Sequence, residues 1–257
     1  MKKRVIYYSD ELNDDFANTN ISAKELGSDF EYNHKNPIWN IFSFILYYFI
    51  AIPISIIINK LFNHQKFINK KVLKKCKDQG YIIYSNHTHH LNDCFSNPPL
   101  VFPRKNYIIA SKDAFSIFGI KNIVQMLGAI PLPTTIKEHR NFSQFIEKKL
   151  KEKQIITIYP EAHIWPYYTK IRPFISSSFK YPIKYNVPIF CITHCYKKRR
   201  FSNKAKIESY IDGPFFPNAN LDLKEASDDL RNQVYQTMCD RSEKHSTYQY
   251  VQYIKKD

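Results

Sequence analysis

Residues 38–59, IWNIFSFILYYFIAIPISIIIN, constrain this 257-residue chain more than any other stretch, because none of these side chains is charged. A helix of that length matches the ~30 Å hydrocarbon layer of a bilayer and exceeds the usual length of a helix in a soluble core. Pro53 interrupts the helical hydrogen-bond ladder, and Asn40, Ser43 and Ser55 break the apolar surface. A bent or in-plane membrane segment therefore stands beside a straight crossing, with a buried core helix as the soluble alternative.

The flanks sharpen this expectation. After Asn59 come Lys60, Lys66, Lys70, Lys71, Lys74, Lys75 and Lys77, with Asp78 the only acid before residue 80. Such a run attracts anionic lipid at roughly 1 kcal/mol per charge, and it favours the cytoplasmic side of a membrane. The whole chain has a formal charge of +15, so anionic partners are expected. No zinc-finger, homeodomain or RNA-recognition signature is present, so the expected partner is a phospholipid membrane and not nucleic acid. Residues 1–37 are polar, with acids from Asp10 to Glu31, and lack the apolar core of a signal peptide. The expected organisation is a polar lead-in at 1–37, a membrane-associated helical segment and basic linker at 38–79, and one domain at 80–257.

From residue 80 the pattern alternates β-rich runs with helical ones. Strands are expected at 81–85, 106–110, 129–132, 154–159, 187–193 and 206–211, and helices at 120–127, 138–151, 174–185 and 222–245. In FSQFIEKKLKEK, Phe142, Phe145, Ile146 and Leu150 fall on one helical face. Alternation of this kind predicts an α/β domain whose mostly parallel central sheet is flanked by helices. The five cysteines are scattered, as in a reduced compartment. Cys191 and Cys195 lie in an apolar run and read as core.

Two stretches carry chemistry. In YSNHTHHLNDCF, His87 follows an apolar strand and Asp93 opens the next helix, which places imidazole and carboxylate at the open end of the sheet. A carboxylate-held imidazole can take a proton from a hydroxyl. His87, His89 and Asp93 also make a possible metal set, as in a metal-dependent hydrolase, and a polar turn is the plain alternative. A non-catalytic basic membrane-binding protein is a further reading. Cys94, entering a helix, fits packing better than nucleophilic attack. In IYPEAHIWPYYTKIRPF, Glu161 stands at another strand end, and Lys170 and Arg172 are nearby cations able to hold a phosphate. Trp165, Tyr167 and Tyr168 read as packing.

The order of these blocks, an NH…D block, Gly128-Ala129-Ile130, Pro160-Glu161 and Val187-Pro188-Ile189, resembles the glycerolipid acyltransferases of the lysophosphatidate type over roughly residues 80–195. The resemblance implies transfer of a fatty acyl group from acyl-CoA or acyl-carrier protein to a lysophospholipid hydroxyl, without a metal or other cofactor. It implies His87 as general base, Asp93 as its orienting carboxylate, and Glu161 and Gly128 in substrate-binding blocks. It also implies a cell-membrane enzyme whose catalytic domain faces the cytoplasm. Two departures stand out. Five residues separate His87 from Asp93 where the family has four, which leaves His89 and His90 as alternative bases. Thr134 and Ile164 lie near positions where the family has arginines. The phosphate contact then falls to Lys170 and, principally, Arg172, with Lys137 and Arg140 the cations nearest the glycine block.

Overall fold

Tyr81-Ile82-Ile83-Tyr84, β-branched and aromatic and too short for a core helix, forms a central strand whose side chains are all fully buried. In the computed structural model, which describes residues 4–17, 30–89, 92–116 and 119–256, the strands are β1 (Arg4–Tyr8), β2 (Lys66–Ile68), β3 (Tyr81–Ser85), β4 (Asn106–Ala110), β5 (Ala129–Pro131), β6 (Ile155–Ile158), β7 (Ile189–Lys198), β8 (Ala205–Phe215) and β9 (Val251–Lys255). The helices are α1 (Pro37–Phe62), α2 (Asn92–Val101), α3 (Lys121–Met126), α4 (Ile136–Lys151), α5 (Lys180–Tyr185) and α6 (Leu223–His245).

Among the described residues the main sheet has the order β2-β8-β7-β3-β6-β4-β5. All neighbours are parallel except the long antiparallel β7–β8 pair. This is the mostly parallel α/β sheet expected, with its central strands buried on both faces as helices on both sides require. Phe142, Phe145, Ile146 and Leu150 of α4 are all buried in the core. The helix expected over 174–185 is instead a 3-10 turn at Ser176–Phe179 followed by α5. Pro173 holds the chain extended before it, and serine side chains favour turns over helix interiors. A separate parallel pair, β1 with β9, joins the two ends of the chain.

Helix α1 is continuous through Pro53, because Leu46–Ala51 just before it open into wider i→i+5 turns. Its buried polar residues, Ser43, Tyr47, Ser55 and Asn59, face the domain, while Asn40 is exposed. Ser43 Oγ donates to the Met126 carbonyl at 2.8 Å, the Asn106 amide donates to Tyr47 Oη at 2.8 Å, and Asn59 Nδ2 donates to the Phe95 carbonyl at 3.0 Å. The opposite face, including Ile38, Phe42, Phe49, Leu61 and Phe62, is exposed. This helix is long and apolar enough to cross a membrane, yet it rests on the domain from Ser43 to Asn59.

Candidate active site

Adjacent strand ends bring the two motif stretches together. Tyr84 of β3 is in register with Ile158 of β6, so the chain leaving β3 at Asn86-His87 runs beside the chain leaving β6 at Tyr159-Pro160-Glu161. Backbone bonds lock the two loops, from the Trp165 amide to the His87 carbonyl at 3.1 Å and from the Tyr167 amide to the Thr88 carbonyl at 2.8 Å. On the other side, Asn86 clamps β7: its Oδ1 accepts from the His194 amide at 2.8 Å and its Nδ2 donates to the His194 carbonyl at 3.2 Å.

Asp93 enters from the first turn of α2, where a negative side chain suits the helix dipole. Its Oδ2 lies 2.7 Å from His87 Nδ1 and accepts the His89 amide at 3.0 Å. The Asp93 amide in turn donates to the His89 carbonyl at 3.1 Å. The five-residue interval between His87 and Asp93 thus still closes. With Nδ1 held by the carboxylate, the other ring nitrogen, Nε2, is on the opposite side of the imidazole, and about a fifth of the His87 side chain, 21%, is exposed. The ring stacks on Tyr159 with centroids 4.5 Å apart, and Tyr159 Oη donates to the Asp93 carbonyl at 2.6 Å. Burial keeps this phenol far above its ordinary pKa, so it stays a neutral donor.

The carboxylate of Glu161 is a buried strut. Its Oε2 accepts the His87 amide at 2.9 Å and its Oε1 the Arg172 amide at 3.0 Å. Burial raises its pKa, against the opposing pull of Arg172 and of those two amides. Glu161 thus fixes the loop that carries His87, and its oxygens face protein and not the open cleft.

Arg172 corrects the sequence reading most sharply. It is 1% exposed. Its Nη2 donates to the carbonyls of Glu161, at 3.1 Å, and His163, and its Nη1 to that of Glu11 at 3.2 Å. Nη2 also lies 3.6 Å from Glu161 Oε2, and the guanidinium sits 5.0 Å over the Trp165 ring. A phosphate grip is not what this guanidinium does: it organises the Glu161 loop. Lys170, in contrast, is exposed. Trp165 is fully buried and stacks on Tyr253 with centroids 5.0 Å apart, the packing role expected of it.

Gly128 also departs from its expected role. It precedes β5 at the sheet edge, with β6 and β4 between that strand and β3, and it lies at the end of β5 opposite the His87 end of the sheet. It has φ +99°, and a Cβ there would meet the Asn106 carbonyl oxygen at 2.7 Å. Glycine is needed at this position for a close strand approach and not for a substrate contact.

His89 points elsewhere, its ring edge-on to Tyr167 at 5.2 Å and its Nε2 3.4 Å from Tyr167 Oη. Among the described residues no three His, Cys, Asp or Glu side chains converge as a metal site. Both contacts to Asp93, from His87 Nδ1 and the His89 amide, fall on Oδ2. His90 lies outside the described residues. Cys191 and Cys195 are buried core thiols and Cys94 is an exposed free one.

Sequence reading missed Tyr159 and Lys112, and gave Asn86 only as part of the NH…D block, without its clamp on β7. Tyr159 and Asn86 are the residues that leave the two strands beside the motif residues, which was the available signal. Lys112, just beyond β4, is 8% exposed; its Nζ donates to Thr134 Oγ1 at 2.6 Å and lies 3.3 Å from Glu138 Oε2. A buried cation thus reaches the Thr134 position from another strand end, neutralised by Glu138. No periodicity signals that pair.

A model of the family described as Acyltransferase matches residues 64–195, about half the chain. The chain belongs to this acyltransferase family, so it is an enzyme of acyl transfer. Its fold is similar to the crystal structure of the 1-acyl-sn-glycerophosphate (LPA) acyltransferase PlsC from Thermotoga maritima. The TM-score is 0.55 at 17% identity, over 82% of this chain and 89% of that one. No curated protein sequence matches the chain.

Proposed function

We propose that this enzyme moves a fatty acyl group from acyl-CoA or acyl-carrier protein to the free hydroxyl of a lysophosphatidate-like glycerolipid, as a step of phospholipid biosynthesis at the cytoplasmic face of the cell membrane. The observation that carries the reading is the 2.7 Å contact of His87 Nδ1 with the buried Asp93 carboxylate. His87 Nε2 takes the proton of the acceptor hydroxyl as its oxygen attacks the thioester carbon. Asp93 stabilises the imidazolium so formed. The tetrahedral intermediate then expels the thiolate, which recovers the proton from His87. The scheme draws on no metal or organic cofactor.

The acceptor's phosphate needs a surface cation, and Lys170 is the candidate on the Glu161 loop. Support for the lipid acceptor also comes from α1. In a soluble protein the apolar face of a helix turns inward, whereas here Ser43, Ser55 and Asn59 are buried and the exposed face is isoleucine, leucine and phenylalanine. Because the inner face rests on the domain along most of its length, the helix lies in the plane of the membrane, with its outer face in the acyl-chain boundary. Detergent-purified protein incubated with acyl-CoA and a panel of lysophospholipids, with products read by mass spectrometry, tests the proposal. Acylation of phosphate-bearing lysolipids supports it, and release of free fatty acid with no acylated lipid overturns it.

A further inference from the structure

The β7–β8 hairpin ends in a tip that the acyl-transfer site does not use. Strand pairing closes at Lys198 and Ala205, and beyond it run Arg199-Arg200-Phe201-Ser202-Asn203-Lys204. Phe201 is 90% exposed, and the Arg200 guanidinium lies 5.2 Å over its ring. Lys198, Arg200 and Lys204 are exposed, with no acidic partner among the described residues. Glu208 serves Lys197, at 2.8 Å, and Lys206, at 3.7 Å, instead. An aromatic ring held in water beside cations without counter-charges is costly for a surface that meets only solvent.

The position of this tip identifies its partner. Arg199 fastens it to α1: its guanidinium donates to the Phe62 carbonyl and, at 2.9 Å, to the Ala205 carbonyl. The Ile207 amide also donates to the Asn63 carbonyl at 3.3 Å. The tip therefore adjoins Leu61 and Phe62, the last residues of the outer apolar face of α1 and each 67% exposed. We propose that the Phe201 hairpin is a second membrane contact, which sets its ring at the headgroup boundary and its three cations on anionic phospholipid. The inference rests on the reading of α1 as a membrane-embedded helix. Nucleic acid would satisfy the cations, but it offers nothing to the exposed hydrocarbon of Phe201, Leu61 and Phe62.

The test is cosedimentation of the full chain with phosphatidylcholine vesicles, with or without phosphatidylglycerol. Phe201→Glu and the triple variant Lys198→Glu/Arg200→Glu/Lys204→Glu are compared with the parent, and circular dichroism checks their folding. The triple variant should lose about a hundredfold in apparent affinity for anionic vesicles, at roughly a tenfold loss for each one or two charges. That loss should shrink at high salt and on neutral vesicles. Phe201→Glu should lose about tenfold on both vesicle types. Both variants should keep parental turnover on detergent-dispersed acceptor and lose it on acceptor presented in vesicles. Parental binding by both variants overturns the hairpin inference and leaves the α1 reading intact. A parent that sediments with neither vesicle overturns both. Loss of single-stranded RNA binding by the triple variant with unchanged vesicle binding assigns the tip to nucleic acid and overturns the proposal.

Discussion

His87 Nδ1 lies 2.7 Å from Asp93 Oδ2 across five intervening residues, with the His89 amide donating to the same oxygen at 3.0 Å. An asparagine at 93 can present an oxygen in the same place, so Asp93→Asn removes the charge and little else. Loss of imidazolium stabilisation should lower kcat by about 10²–10⁴-fold, with KM for the acceptor nearly unchanged. Steady-state kinetics on the purified variant reads both constants.

Arg172→Ala should act on stability and not on acceptor affinity. It leaves the buried Glu161 carboxylate without its cation and removes donors from the Glu161, His163 and Glu11 carbonyls. Breaking a buried ion pair costs about 3–5 kcal/mol, which lowers Tm by roughly 6–20 °C in a domain of this size. A calorimetric scan shows the drop. A variant of parental Tm with a raised KM for phosphate-bearing acceptors would restore Arg172 as a ligand.

The difference between these two residues shows what was legible in the sequence. Strand β3 and strand β4 fall on the expected residues, because short β-branched and aromatic runs leave a local mark, fully buried in β3 and half-buried in β4. His87 and Asp93 were legible for a related reason: a strand end and a helix start are local events, and only their closure across an added residue needed the structure. The role of Arg172 was not legible, because it depends on the Glu11 carbonyl 161 positions away and on the β1–β9 pair that brings the N-terminus to the Glu161 loop. Gly128 was recognised as part of a block, but its reason is a backbone approach to Asn106 that no pattern encodes. In α1 the polar residues looked like interruptions of a membrane segment. Except for the exposed Asn40, they are its protein-facing side, and the helical spacing of Ser43, Tyr47, Ser55 and Asn59 was the signal.

His194 sets an acid limit on stability. It is 2% exposed, its Nδ1 is 2.7 Å from Ser209 Oγ, and its Nε2 has no hydrogen-bond partner among the described residues. Burial depresses its pKa to about 4. Asp93 opposes that shift and His89 and His87 add to it. Because the folded-state value lies below the unfolded one, the unfolded chain takes up the proton first. Stability is therefore full above about pH 6.5 and falls as the pH drops toward 4. Between pH 7 and pH 5 this group alone should remove about 2 kcal/mol. Urea denaturation at the two pH values should show the loss in the parent and a smaller one in His194→Gln.

The most direct test of the account compares His87→Ala with His89→Ala in acyl transfer from acyl-CoA to lysophosphatidate, with product followed by mass spectrometry and folding checked by circular dichroism. The His89 ring lies edge-on to Tyr167 and away from the Asp93 carboxylate, and its amide bond to Asp93 survives substitution. His87→Ala should therefore lose about 10²–10⁴-fold or more in rate, and His89→Ala should stay within about tenfold of the parent, a change of ~1.4 kcal/mol in barrier. Parental turnover by folded His87→Ala, or inactivation by His89→Ala alone, would contradict the assignment of His87 as the base.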